Sequence, residues 1–343
     1  MKIEKLFLTE MNRCYSANHL VVDGQTRILL ATEGEGPCKT WLGPDYRETH
    51  NVWDGPGGTM SIVPIPGTNG EFLAVQKFFK MFQWEEAKVV HVRPLAAGGY
   101  EVTDILHLPY IHRFDLLTVN GRHYFIGCTL ATTKESKEDW SNPGKIWVGE
   151  YTAPSPLQVR VLKEGLTKNH GYGRLEQNGK MSGLVTCEEG AFEVTPPQTP
   201  DGEWTVRQYM DRPISDISAI DIDGDGELEY ATIEAFHGHY FRVYKKFGDK
   251  FVQIFEHPEV TEFYHVVVGT SLAGKPVFIG GCRRGKQQLF YVHAERNNPL
   301  ALKAELIEEG VGPSNVHVVH EASRDIIVAA NREKAEAALY FVS

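Results

Sequence analysis

The stretch Ile111-His-Arg-Phe-Asp-Leu-Leu-Thr-Val119, Asn120-Gly121, Arg122-His-Tyr-Phe-Ile-Gly-Cys128 decides the fold. Two runs rich in apolar, β-branched and aromatic residues flank an Asn-Gly pair. Such a pair readily takes the left-handed angles of a two-residue hairpin. Lys145 to Tyr151 and Gln158 to Leu162 read as two further strands. Together they form a four-stranded antiparallel unit whose first strand lines a channel, the plan of a propeller blade.

The same turn recurs along the chain at Asp23-Gly24, Asn69-Gly70, Asn178-Gly179, Asp223-Gly-Asp225-Gly226, Ala273-Gly274 and, without glycine, Ala322-Ser323-Arg324. Successive copies lie 46 to 58 residues apart, a period typical of blades or solenoid units. An apolar second strand follows each: Arg27 to Ala31, Phe72 to Val75, Tyr124 to Cys128, Gly183 to Cys187, Tyr230 to Ile233, Val277 to Gly280 and Ile326 to Ala329. Seven copies predict an all-β, seven-bladed β-propeller, one domain over residues 1–343. The last blade has three strands before the chain ends, and Lys2 to Leu8 is an orphan strand. Pairing the two closes the ring and removes a free edge. Pro44 to Gly58 reads as an elaborated connection.

Composition agrees with short, punctuated strands: 33 Gly, 18 Pro and 11% aromatic residues. The net charge of −10, from 45 acidic against 35 basic residues, argues against a nucleic-acid partner, which wants a basic face. No stretch has the length of a membrane span, and the first ten residues carry Glu4 and Glu10 where a signal peptide would be apolar. Five scattered cysteines read as buried free thiols. A cytoplasmic, reduced protein follows.

Counting back nine residues from each turn gives Tyr15, Ser61, His112, His170, Ile217, His265 and Ser314. Equivalent positions in a ring face a common axis, so His112, His170 and His265 converge. Neutral imidazoles so placed suit a divalent transition metal in the central channel. His19, His317 and His320 are expected near the same space. The second strands end in Lys77, His237, Arg283 and Arg332, among others, which predicts an anion-binding mouth. Asp221, Asp223, Asp225 and Glu229 alternate in a glycine-bent loop, a pattern suited to a structural calcium ion on the opposite side.

The segment His107-Leu-Pro-Tyr-Ile-His-Arg-Phe-Asp-Leu116, with Cys128-Thr-Leu and Lys137-Glu-Asp-Trp-Ser-Asn-Pro-Gly-Lys145, resembles a blade of FG-GAP/VCBS-type propellers. It is similar in particular to propellers related to rhamnose–glucuronate lyases and to the propeller domain of aldos-2-ulose dehydratase. The resemblance implies metal-assisted β-elimination on a uronate-containing or keto-sugar at the propeller axis. In such chemistry, His170 is the first candidate base, with Tyr172 as a second acid/base group on its loop, and His112 is the next. Arg283 and Arg332 would neutralise the developing enolate, and Arg113, Lys77 and His237 would contact substrate. The competing class is a non-catalytic propeller serving as a sugar-binding or protein-interaction platform.

Overall fold

A computed structural model describes residues 1–78, 84–152, 156–177, 179–295 and 298–343, with the side chains of 299 and 300 left aside. Seven four-stranded antiparallel sheets form the seven-bladed β-propeller. Their inner strands are Cys14–Val22, Ile62–Pro64, Ile111–Val119, Gly171–Gln177, Asp216–Ile220, Tyr264–Leu272 and Asn315–His320. Each inner strand packs against the next, and the seventh packs against the first, so the ring closes.

The turns work as their residues dictate. Asp23-Gly24, Asn120-Gly121 and Ala273-Gly274 all have positive φ at both positions, the hand that matches strand twist in a tight hairpin. Asn178 lies outside the described residues.

The second strands are continuous apolar runs because both their faces are covered. Phe72, Leu73, Ala74 and Val75 are all fully buried. Side chains of alternate sign go to the blade before and the blade after. The apolar clusters accordingly lie between blades: Leu117, Ile126 and Val148 meet Val185 and Val194 between blades three and four. Ile28 and Trp41 meet Val328 and Leu339 between blades one and seven.

The N-terminal strand Ile3–Glu10 pairs antiparallel with Glu336–Val342 and becomes the outer strand of blade seven. The expected closure therefore holds, with the strand starting one residue later and ending two residues later than read. Pro44 to Gly58 is not all connection: Glu48–Trp53 is the outer strand of blade one. Its first four residues are exposed, which hides the apolar signal of a strand. Among the described residues no helix is long and apolar enough to cross a membrane.

Candidate functional site

Every inner strand enters the channel at the same end, where the second strands leave it. The residues nine before each turn meet there and form a belt. The Ser61 hydroxyl donates to the His112 carbonyl (3.1 Å), and His112 Nδ1 donates to the His170 carbonyl (3.1 Å). His170 Nδ1 donates to the Ser215 carbonyl (3.3 Å) and His265 Nδ1 to the Ser314 carbonyl (2.5 Å). The Ser314 hydroxyl reaches the Tyr15 carbonyl (3.1 Å). At five of the seven junctions a blade's belt side chain is thus held by a carbonyl of the next blade.

The belt has a chemical consequence. A carbonyl only accepts, so the proton of each of the three imidazoles sits on Nδ1. Their Nε2 lone pairs are left facing the axis. This is the arrangement by which second partners orient metal-binding histidines. Burial holds His112, His237 and His265 well below the usual imidazole value and brings His170 down to about 3. All four are neutral near pH 7.

His237 arrives from the end of the second strand of blade five, at φ +48°, its amide held by the Ser215 hydroxyl (3.0 Å). Its Nε2 lies 3.0 Å from His170 Nε2. His170, His237 and His265 bring ligand atoms within 4.8 Å of one another. Three neutral nitrogen donors at that spacing fit a divalent transition ion with positions left open for substrate. Of the expected trio, His170 and His265 belong to this group, and its third member is His237 rather than His112. The Tyr15 hydroxyl oxygen stands between His112 and His265, 3.5 Å from His112 Nε2 and 3.3 Å from His265 Nε2. A phenol has one proton, so at most one of those lone pairs receives it.

Above this floor lies a cavity of about 240 Å³, whose lining includes Tyr15, Trp84, Lys137, Trp140, Phe236 and Arg283. Its walls are aromatic: Phe78 stacks on Trp84 at 4.7 Å, and Trp140 meets Phe236 edge-on at 5.3 Å. Lys134 caps the Trp140 ring, its ammonium 3.3 Å from the centroid, without lining the cavity itself. Among the described lining residues, Arg13, Lys137 and Arg283 face the space against one carboxylate, Glu33. That balance favours an anion in an acidic protein.

The remaining expected residues separate. Arg283 lies over Phe263 and pairs with Glu333 at 2.7 Å. Arg332 stands behind it, bonded to Glu33 and to Glu333 (2.9 Å), and does not line the cavity. Lys77 pairs with Glu86 at 3.0 Å on the exposed rim, also outside the lining.

Tyr172 is not beside the His170 lone pair. It packs in the seam between blades three and four, because its strand direction carries it past the belt. Arg113 points down the channel, donating to the Met60 carbonyl (3.0 Å) and to Asn315 Oδ1 (3.1 Å). His19 and His317 pair with each other at 2.7 Å (Nδ1 to Nε2) further along the inner strands, and His320 pairs with Asp325 at 2.7 Å.

The acidic loop of blade five carries its own cation. Lys245 places its ammonium 2.7 Å from Asp223, 2.8 Å from Asp225 and 2.5 Å from Glu229. Asp221 accepts from the amides of Gly224 and Gly226. Asp221, Asp223 and Asp225 do cluster within 4.8 Å, but a lysine already stands among the acidic groups where calcium was expected.

Sequence reasoning gave Tyr15 no role, although the nine-residue rule lands on it. It also passed over Lys137 and Trp140, which lie in the segment that carries the family resemblance. In comparisons with known proteins, no family model matches this chain and no curated protein matches it.

Proposed function

We propose that the histidine cavity is the active site of a metal-dependent carbon–oxygen lyase, acting by β-elimination on a carboxylate- or carbonyl-bearing sugar. The observation that carries this reading is the His170, His237 and His265 trio, with neutral ligand atoms within 4.8 Å, beneath a cationic and aromatic wall. A bound divalent ion would polarise the substrate's carboxylate or carbonyl and acidify the neighbouring C–H. Lys137 and Arg283 bind the anionic group, and the Trp84 and Trp140 rings accept the apolar face of a sugar ring.

His112 is the base. Its tautomer is held by the His170 carbonyl, so Nε2 is free to take the proton next to the carboxylate. As that C–H bond breaks, a C=C bond forms and the β C–O bond breaks. Tyr15 gives its proton to the departing oxygen and recovers one from His112, 3.5 Å away, which returns both groups to their starting state. This replaces His170 as base, since its lone pair belongs to the trio, and Tyr172, which lies outside the cavity.

Two further readings belong to the proposal. The loop from Asp221 to Glu229 joins the inner and second strands of blade five, as in FG-GAP-type repeats, with Lys245 as the departure. The five cysteines are all buried and unpaired, which fits a reducing compartment such as the cytoplasm.

The test is the ultraviolet absorbance of an unsaturated product when zinc- or manganese-loaded protein meets uronate-containing oligosaccharides and keto-sugars. Turnover is expected, with Tyr15→Phe and His112→Ala each lowering kcat by about 10²–10⁴-fold, the usual worth of a general acid or base. Binding without any absorbance change across the panel would leave the sugar-binding platform in its place.

A further inference from the structure

The channel does not end at the histidine belt. Below it, toward the turns, lies a second chamber of about 320 Å³ lined by inner strands of all seven blades. Its polar lining includes Arg113, Asp115, Arg174, Asp216, Asn18 and Asn315, with His265 at the belt end and His317 deeper in. Most of them are committed to one another. Arg174 holds Asp115 through two nitrogens, at 2.9 and 2.5 Å. Asn18 donates to the Ile62 carbonyl and Asn315 to the Tyr15 carbonyl.

Two groups are not neutralised. Arg113 is partly buried, and two of its N–H groups go to the uncharged oxygens of Met60 and Asn315. A guanidinium has five such donors, and no carboxylate among the described residues lies within ion-pair distance of it. Asp216 is 8% exposed and accepts only from backbone amides, those of Ile217 and Tyr172. Among the described residues no cation lies within ion-pair distance of it, and Arg113 acts on it only across the space between them, opposing the upward shift that burial causes. A half-buried guanidinium and a buried carboxyl thus face one space and feel each other's charge without a direct bond, which leaves hydrogen-bonding capacity open between them. A charge in such surroundings is unfavourable unless a ligand or water compensates it.

We propose that this lower chamber, which adjoins the histidine cavity at Met60 and His265, is a second ligand site where the Arg113 guanidinium binds a small oxyanion such as a carboxylate or phosphate. Arginine's planar fork matches such groups with two parallel hydrogen bonds. The committed asparagines shape the chamber. Asp216 sets its selectivity: ionised, it opposes the anion, and protonated, it donates to it. Burial raises the Asp216 carboxyl to about 6, which keeps a share of the protonated form near neutrality.

The experiment is calorimetric titration of metal-free protein at pH 7 with inorganic phosphate and, separately, acetate. Wild type is expected to bind one of these with a stoichiometry near one that survives Lys137→Met, a change in the upper cavity only. Arg113→Met should weaken binding at least tenfold, and Arg113→Lys should weaken it less. Asp216→Asn keeps the amide contacts, removes the opposing charge and should tighten binding several-fold, a gain that misfolding cannot produce. Equal affinity in Arg113→Met, or loss of all binding in Lys137→Met, overturns the second site. Neither result bears on the lyase reading, which is measured on metal-loaded protein by product absorbance.

Discussion

At the scale of single residues, the site depends on which imidazole nitrogen is spoken for. Carbonyl acceptors from the next blade take Nδ1 of His112, His170 and His265, so the ligand geometry is inherited from the ring. The nine-residue offset made these three legible in the sequence, because equivalent strand positions share an axis. It could not reach His237, which comes from a second-strand end and has a left-handed backbone itself; the strand-end pattern placed it at the mouth, but as a substrate contact. Nor could it tell that His237 would come within 3.0 Å of His170 and join the group in which His112 was expected. The geometry sets an order for metal binding. His237→Ala and His265→Ala should each weaken zinc affinity about 100-fold or more, the loss of a direct nitrogen ligand exceeding the 10–100-fold typical of an orienting partner. His112→Ala should change it by less than tenfold. Competition against a chromogenic chelator measures all three, and a His112 effect as large as that of His237 would return the centre to the trio read from sequence.

At the scale of elements, the acidic hairpin shows where local reading ends. Alternating carboxylates from Asp221 to Glu229 are a sequence signal for a cation, and a cation is there. It is Lys245, on the neighbouring strand, directly opposite Glu229 in the register. Only strand pairing brings that lysine across, and no spacing rule within the loop contains it. Burial raises the Glu229 carboxyl, while Lys245 opposes the shift. The ammonium and the Glu229 and Asp223 carboxylates are nearly inaccessible to water, with side chains 6%, 0% and 4% exposed. Removing one partner of such a group strands the others, at a cost on the order of 3–5 kcal/mol. Lys245→Met should lose that much in urea denaturation at pH 7, and millimolar calcium should restore part of it by filling the vacated position. EGTA should leave the wild-type melting temperature unchanged. A fall of several degrees with EGTA would show that calcium, not lysine, closes the loop in solution.

At the scale of the whole molecule, ring closure joins the two ends of the chain, and both ends were legible because an orphan strand and a missing strand are complementary facts. What sequence could not supply was depth along the axis. His19 and His317 were expected at the metal mouth, but they lie four and three residues beyond Tyr15 and Ser314. At about 3.3 Å per residue, that is roughly 10–13 Å further down the channel. There they stack on each other across the seam between blades one and seven, ring centroids 4.9 Å apart. Burial lowers both, and His317, which also feels His19 and His320, is brought to about 3. The sign follows. Above pH 6.5 the imidazole is neutral in both folded and unfolded chains, and no difference exists. Below 6.5 the unfolded chain takes up a proton that the folded one refuses until about pH 3, so stability falls with acid across that window. For His317 alone, the loss between pH 7 and pH 5 is about 2 kcal/mol. His317→Asn should therefore be flatter than wild type by about that amount when urea midpoints at pH 7 and pH 5 are compared in chelated protein. Because the pair bridges the first and last blades, this acid-sensitive seam is also where the ring should open first. Hydrogen exchange at pH 5 should show earlier loss of protection in Asn315–His320 and Cys14–Val22 than in the inner strands of blades three and four. Uniform exchange around the ring, with an unchanged slope in His317→Asn, would place the acid sensitivity in the four histidines of the upper cavity instead.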